Sequence, residues 1–256
     1  MTRYVHRETV MGTVFSFDIR ADIDPAAAIE EAVAFLHHVD TVFSTYREDS
    51  DIRRLDRGEC RMQDCSPAVA EVLRMCATAT GHTDGYFSAL HSGHIDPTGL
   101  VKGWSIDTAS AILSTRGMAV HSINGGGDIR AMGFPSPEMP WRVGISDPRR
   151  PRELIAAVTG TDFAVATSGP GERGPHIVDP VRGRVARSVL SATVTGPQLA
   201  WADAYATALV ACGVEAMQWI EALPGYEAIV LTAAGAMHRT AQFPDLNVAT
   251  TTSGGQ

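Results

Sequence analysis

Lysine is almost missing from this 256-residue chain: of 21 basic residues only Lys102 is a lysine, and all the others are arginines. Basic runs are missing as well, and the formal net charge is −8. A nucleic-acid surface needs clustered cations to displace counterions from phosphates, so that class of partner is not expected. Long apolar runs are absent. The most apolar window, 228–237, is interrupted by Thr232 and Gly235, and nothing approaches the roughly twenty residues that span a bilayer. Residues 1–7 lead into polar sequence with no apolar stretch and no nearby cysteine to carry a lipid, so a cytoplasmic protein without an export signal is expected. Cys60, Cys65, Cys76 and Cys212 lack zinc spacing and are expected to be free thiols in a reducing compartment. No Gly-x-Gly-x-x-Gly follows a strand, which argues against a Rossmann site, and there is no internal repeat.

What is present has the balance of an ordinary soluble globular chain, 45% hydrophobic and 20% charged. Residues 11–20 alternate apolar and polar side chains and read as a strand that buries Phe15, Phe17 and Ile19. Asp24-Pro25 and Ser66-Pro67 each read as a helix cap followed by a first-turn proline. The apolar stripes behind them are Ile29, Val33 and Leu36, then Val69, Val72, Leu73 and Cys76. A charged loop is expected over 47–61, and a helix over about 103–115 with Ile106, Ala109 and Leu113 inward. Residues 122–129 read as a strand interrupted by three glycines, as expected where a backbone turns sharply or meets a ligand. Further strands are expected at 141–145 and 163–167, helices at 197–212 and 214–223, and a hairpin of 227–231 with 237–240. Strands and helices alternate unevenly and several strands are joined by short turns, which predicts an α+β fold in two lobes. Residues 1–243 are expected to form a single domain and 244–256 a disordered tail.

The chemistry is concentrated near the C-terminal end. Asp203 and Thr207 are four residues apart on a predicted helix, so both oxygens can be aimed at one point. A carboxylate with one or two neutral oxygens is a plausible protein share of a Mg²⁺ shell that a phosphate completes. The plainer alternative has Thr207 bonded back to the Asp203 carbonyl. Lys102 offers a compact point charge suited to a phosphate or a flavin oxygen.

An ordered set of segments extends this reading: 11–13; 43–46 with 49–52; 84–87; Asp96 with 102–107; 124–129; 167–169; 176–180 with Arg182-Gly183; and 202–207. Together they resemble the FAD:protein FMN transferase family, the ApbE-like flavin transferases. The resemblance implies largely antiparallel sheets flanked by helices, with a flavin site between two lobes. It also implies that FAD and Mg²⁺ are bound and that the FMN half is moved onto a Thr or Ser hydroxyl of an acceptor protein, releasing AMP. By the same resemblance the metal ligands would be Asp203, Thr207 and the Gly99 carbonyl. Met11, Tyr46, Tyr86, Phe87, Ser88, Asp96, Lys102 and Ile177 would line the FAD site, and His176 would serve the transfer itself. Read singly, Met11 suits a core, Tyr46 a packed ring and His176 a turn bonded to Asp179. The family usually has Phe-Asp-Pro-Thr where this chain has Phe87-Ser88-Ala89-Leu90, and Leu-Gly-Gly-Ile-Ala where it has residues 97–101. A Mg²⁺-dependent FAD pyrophosphatase and a non-catalytic flavin-binding protein are the competing functions.

Overall fold

A computed structural model describes residues 1–91, 93–170 and 177–243. The chain opens with a hairpin of β1 (Thr2–Val10) and β2 (Thr13–Ala21), followed by the helices α1 (Ala26–Phe43), α2 (Asp51–Asp56) and α3 (Pro67–His82). A two-strand ribbon, β3 (Leu90–His91) and β4 (His94–Ile95), leads into α4 (Thr98–Thr115). Five strands follow: β5 (Val120–Gly125), β6 (Asp128–Met132), β7 (Trp141–Asp147), β8 (Arg150–Gly160) and β9 (Phe163–Ser168). Then come β10 (Val178–Asp179), β11 (Arg184–Val185), β12 (Val189–Gly196) and α5 (Leu199–Cys212). The short α6 (Met217–Glu221) and the hairpin β13 (Glu227–Thr232) and β14 (Met237–Arg239) complete the fold.

Eight strands form one sheet in the order β1-β2-β5-β6-β9-β12-β13-β14, and each neighbouring pair is antiparallel. Two tight turns set its register. Met11 and Gly12 both take positive φ, 53° and 70°, and pair Val10 with Thr13. Gly126 and Gly127 do the same at 59° and 96° and pair Gly125 with Asp128. Two-residue turns of this hand match the right-handed twist of the strands. The second explains the glycine run: it is a hairpin turn, and it delivers Asp128 as the first residue of β6.

Period-two alternation gives the sheet two apolar faces. Phe15, Phe17, Ile19, Ile123 and Val194 pack against Ile106 and Leu113 of α4 and Leu199 and Leu209 of α5. On the opposite face Ala131, Val165 and Ile229 meet Ile145 and Val158 of the β7–β8 ribbon. A second, helical core gathers Val39, Phe43, Ile52, Val69, Val72, Leu100 and Trp104. Helices α4 and α5 contribute to both the sheet core and the helical core, which places their crossing between them.

Several elements differ from expectation. Strand β1 is an edge strand whose half-buried side, Tyr4, His6 and Glu8, is too polar to read as a core face. Helix α2 sits inside the segment read as a loop, started by the Ser50 hydroxyl, which accepts from the Arg53 N–H. Helix α4 begins at Thr98 rather than near 103. Gly99 and Gly103 weaken its helical signal, and Asp96 Oδ1 accepts from the Thr98 N–H at 3.0 Å at its start. No helix among the described residues is long and apolar enough to cross a membrane.

Candidate active site

The site grows from the close crossing of α4 and α5. A Cβ placed on Gly103 would lie 2.5 Å from the Leu199 carbonyl oxygen, so only glycine lets the two backbones meet here. The Gly103 N–H donates to Asp203 Oδ2 at 3.2 Å. One turn further on, Asp107 Oδ2 accepts from the Ala200 N–H at 2.9 Å, which satisfies an orphan donor of the first turn of α5. Burial raises the Asp107 carboxyl, and that hydrogen bond offsets part of the cost.

Asp203 is buried and Thr207 half-buried on the same face of α5. The Thr207 hydroxyl pairs with Ser168 Oγ at the end of β9, 3.2 Å away. Gly99 faces it across the crossing: a Cβ there would lie 3.6 Å from Thr207 Oγ1 and 3.2 Å from the Phe87 ring. Helical register aims the Gly99 carbonyl at the Gly103 N–H, the same group that donates to Asp203. Gly99 and Thr207 thus face each other across the crossing, and Asp203 meets the next turn of α4 through the Gly103 N–H; between them they offer one carboxylate, one hydroxyl and one backbone carbonyl. That set fits a hard cation that keeps several waters. Among the described residues no group of three or more His, Cys, Asp and Glu side chains is placed to hold a metal.

Lys102 stands beside this set. Its Nζ lies 2.6 Å from Asp128 Oδ2 and 4.0 Å from Asp203 Oδ1. Met11 reaches the same turn of α4 from the β1–β2 hairpin: Ser105 Oγ, which donates to the Lys102 carbonyl at 2.7 Å, touches Met11 Sδ at 3.8 Å. Met11 also packs against both the sheet core and the helical core, as its core reading expects.

The remaining expected residues fall into separate surroundings. Phe87 is buried against Gly99, and its N–H donates to the Thr83 hydroxyl at 3.0 Å. Ser88 Oγ closes its own turn, donating to the Leu90 carbonyl and accepting from the Leu90 N–H, each at 3.0 Å. Asp96 is at the start of α4. Tyr86 packs on Trp219 with ring centres 5.4 Å apart, and the Arg182 guanidinium lies 5.5 Å over its ring. Arg182 is held by Asp179 at 2.9 Å, and Asp179 Oδ1 also accepts from the N–H groups of Val181 and Arg182. The β10–β11 turn is thus tied to Tyr86. Ile177 is half-buried against the sheet core. Tyr46 is 94% exposed in the turn after α1. His176 lies outside the described residues.

The ApbE family matches this chain over residues 11–92 and 88–230, most of its length. The chain belongs to the ApbE family. Among curated ApbE relatives, a FAD:protein FMN transferase of Rhodobacter capsulatus is 32% identical over 216 residues, 81% of this chain and 38% of that protein. One from Vibrio cholerae is 33% identical over 132 residues, 48% of this chain and 40% of its own length. The chain therefore aligns with well under half the length of these curated relatives. Solved structures cover it more fully. The ApbE protein of Thermotoga maritima superposes with a TM-score of 0.83 at 22% identity, covering 94% of this chain and 97% of that one. The flavin transferase ApbE of Vibrio cholerae does so at 0.81 and 23%, covering 94% and 98%. The fold is the ApbE fold.

Three contributors to this candidate site were present in the ordered segments without a role: Asp128, Ser168 and Gly103. Their signal was position alone, directly after a two-glycine turn, at a strand end before Gly169, and one residue after the single lysine. What each touches depends on an element far away in sequence.

Proposed function

We propose that this protein is a Mg²⁺-dependent FAD:protein FMN transferase, acting as one unit over residues 1–243 in the cytoplasm. The observation that carries the reading is the convergence of Gly99, Asp203 and Thr207 beside Lys102, in a chain of a family whose curated relatives are named for this activity. The free state of the four cysteines fits a reducing compartment.

In the proposed reaction the hydroxyl of a Thr or Ser on an acceptor protein attacks the FMN-side phosphorus of FAD. A new phosphoester bond forms, the P–O bond to AMP breaks, and AMP leaves with the bridging oxygen. Mg²⁺, held by Asp203, Thr207 and the Gly99 carbonyl, supplies charge neutralisation on the pyrophosphate when bound. Lys102 adds a fixed positive charge on the same side, in a protein whose net charge is −8. Ser168 orients the Thr207 hydroxyl through their hydrogen bond; with Thr207 as the donor, its lone pairs are left toward the ligand. His176 takes the proton of the attacking hydroxyl. Met11, Tyr46, Tyr86, Phe87, Ser88, Asp96 and Ile177 hold the flavin half. For buried Phe87 and turn-closing Ser88 that role falls to the loop they shape.

AMP release from FAD in the presence of a Thr-bearing acceptor tests the reading. It should require Mg²⁺ and stop with EDTA, and Asp203→Ala should reproduce the EDTA result. Full activity of Asp203→Ala at ordinary Mg²⁺ contradicts the assignment of Asp203.

A further inference from the structure

We propose that Asp128 is a positioning residue that tethers the Lys102 ammonium and so keeps Asp203 available to a divalent cation. The inference rests on the reading of Asp203 as a metal ligand. Asp128 is fully buried and fixed at the first position of β6 by the Gly126-Gly127 turn. Its Oδ1 accepts from the Thr167 N–H at 3.0 Å, which joins β6 to β9. Its Oδ2 has no well-angled hydrogen bond, yet lies 2.6 Å from Lys102 Nζ. The ion pair therefore balances the charge of this oxygen.

Asp203 Oδ1 is the second carboxylate oxygen near that ammonium, at 4.0 Å. Coulomb attraction falls with distance, so the nearer Asp128 dominates. An uncompensated buried carboxylate is costly, which holds Lys102 to Asp128. Once the charge of Asp128 is removed, the preference reverses. Among the described residues Asp203 is then the nearest anion for the ammonium, and Lys102 competes there with any cation.

The test has two arms. The first needs neither metal nor flavin: the chain is treated with acetic anhydride, and acetylation of Lys102 is read by mass spectrometry against the amine of Met1. An ion-paired ammonium acylates slowly, and Asp203, which lies farther off and already accepts from the Gly103 N–H, holds it less tightly than Asp128 does, so Asp128→Asn should raise the Lys102 to Met1 ratio severalfold. The Asn side chain still accepts from the Thr167 N–H, which preserves the link between strands. The second arm measures Mn²⁺ binding by electron paramagnetic resonance. Asp128→Asn should bind roughly 10-fold more weakly, as is usual when an outer partner of a metal site is lost. Adding Lys102→Met should regain most of that loss, which a purely structural role for Asp128 does not permit. Asp128→Glu keeps the anion and serves if Asn unfolds the chain; its labelling ratio and Mn²⁺ affinity should stay close to those of the unsubstituted protein. An unchanged labelling ratio in Asp128→Asn, a Mn²⁺ defect that Lys102→Met leaves intact, or an Asp128→Glu chain that labels or binds like the Asn variant overturns the inference. Failure of the metal reading itself would show differently, as an unsubstituted chain that binds no Mn²⁺ while the labelling arm still responds.

Discussion

His121 is fully buried on β5, with Ser110 Oγ and the Met118 carbonyl each 2.7 Å from a ring nitrogen, and burial pushes its pKa down to about 4. At neutral pH the ring is uncharged in the folded and the unfolded chain alike. Below about 6.5 the unfolded chain takes up a proton that the folded chain refuses until about 4. Stability is thus predicted to fall as pH drops through that window, by up to about 3 kcal/mol once both values are passed. Denaturant titrations across the window should show the fall and a flatter profile for His121→Asn; equal profiles contradict it. The proposed transfer step is assigned to a different histidine. His176→Ala should keep FAD affinity within a few-fold while losing roughly 10²-fold in rate, the scale of a positioned acid–base group. Equilibrium dialysis and turnover measured together check this, and an affinity that collapses with the rate makes His176 a binding residue. Among single residues, Asp203 and Thr207 were legible because helical spacing alone puts them on one face. The pairing of Lys102 with Asp128 was not, since it joins a helix to a strand and exists only once the sheet has formed.

At the scale of elements, the crossing of α4 and α5 carries the site. Gly103→Ala would drive a methyl into the Leu199 carbonyl and the Ala200 backbone, and neither can move without displacing α5. The predicted cost is about 1–3 kcal/mol, typical of overpacking in a tight interior. Chemical denaturation should show it together with weaker Mg²⁺ dependence, because the Gly103 N–H that holds Asp203 moves as well. Unchanged stability would mean that the helices can separate freely. The same glycine misplaced the start of α4 in the sequence reading: low helix propensity at 99 and 103 looked like a boundary, whereas close approach to α5 was its cause. The apolar stripe of α1 slipped for a related reason. Its buried face contains Ala28 and Ala32 beside Leu36, Val39, Val42 and Phe43, so small residues mark the contact while the larger Ile29 and Val33 lie half-buried beside it.

For the whole molecule, the strands that read clearly were the most apolar ones, β2 with one fully buried face and β9 and β13 buried on both. Their neighbours in the sheet could not be ordered from pattern alone, because the connections from β2 to β5 and from β12 to β13 enclose helices and leave no local pairing signal. The exposed front half of β8, with Pro151 and Glu153, hid a strand whose buried residues are Ala156, Ala157 and Val158. What the assembled fold does is bring β6, β9, α4 and α5 to one point, where a lysine, two buried aspartates and two hydroxyls meet. Transfer of FMN to protein at this point can be read from the intact mass of a Thr-bearing acceptor incubated with the enzyme, FAD and Mg²⁺. The acceptor should become heavier by one FMN phosphoester, with one AMP released per adduct and neither product in the Asp203→Ala reaction. An acceptor of unchanged mass alongside free FMN and AMP would contradict transfer and assign the site to hydrolysis.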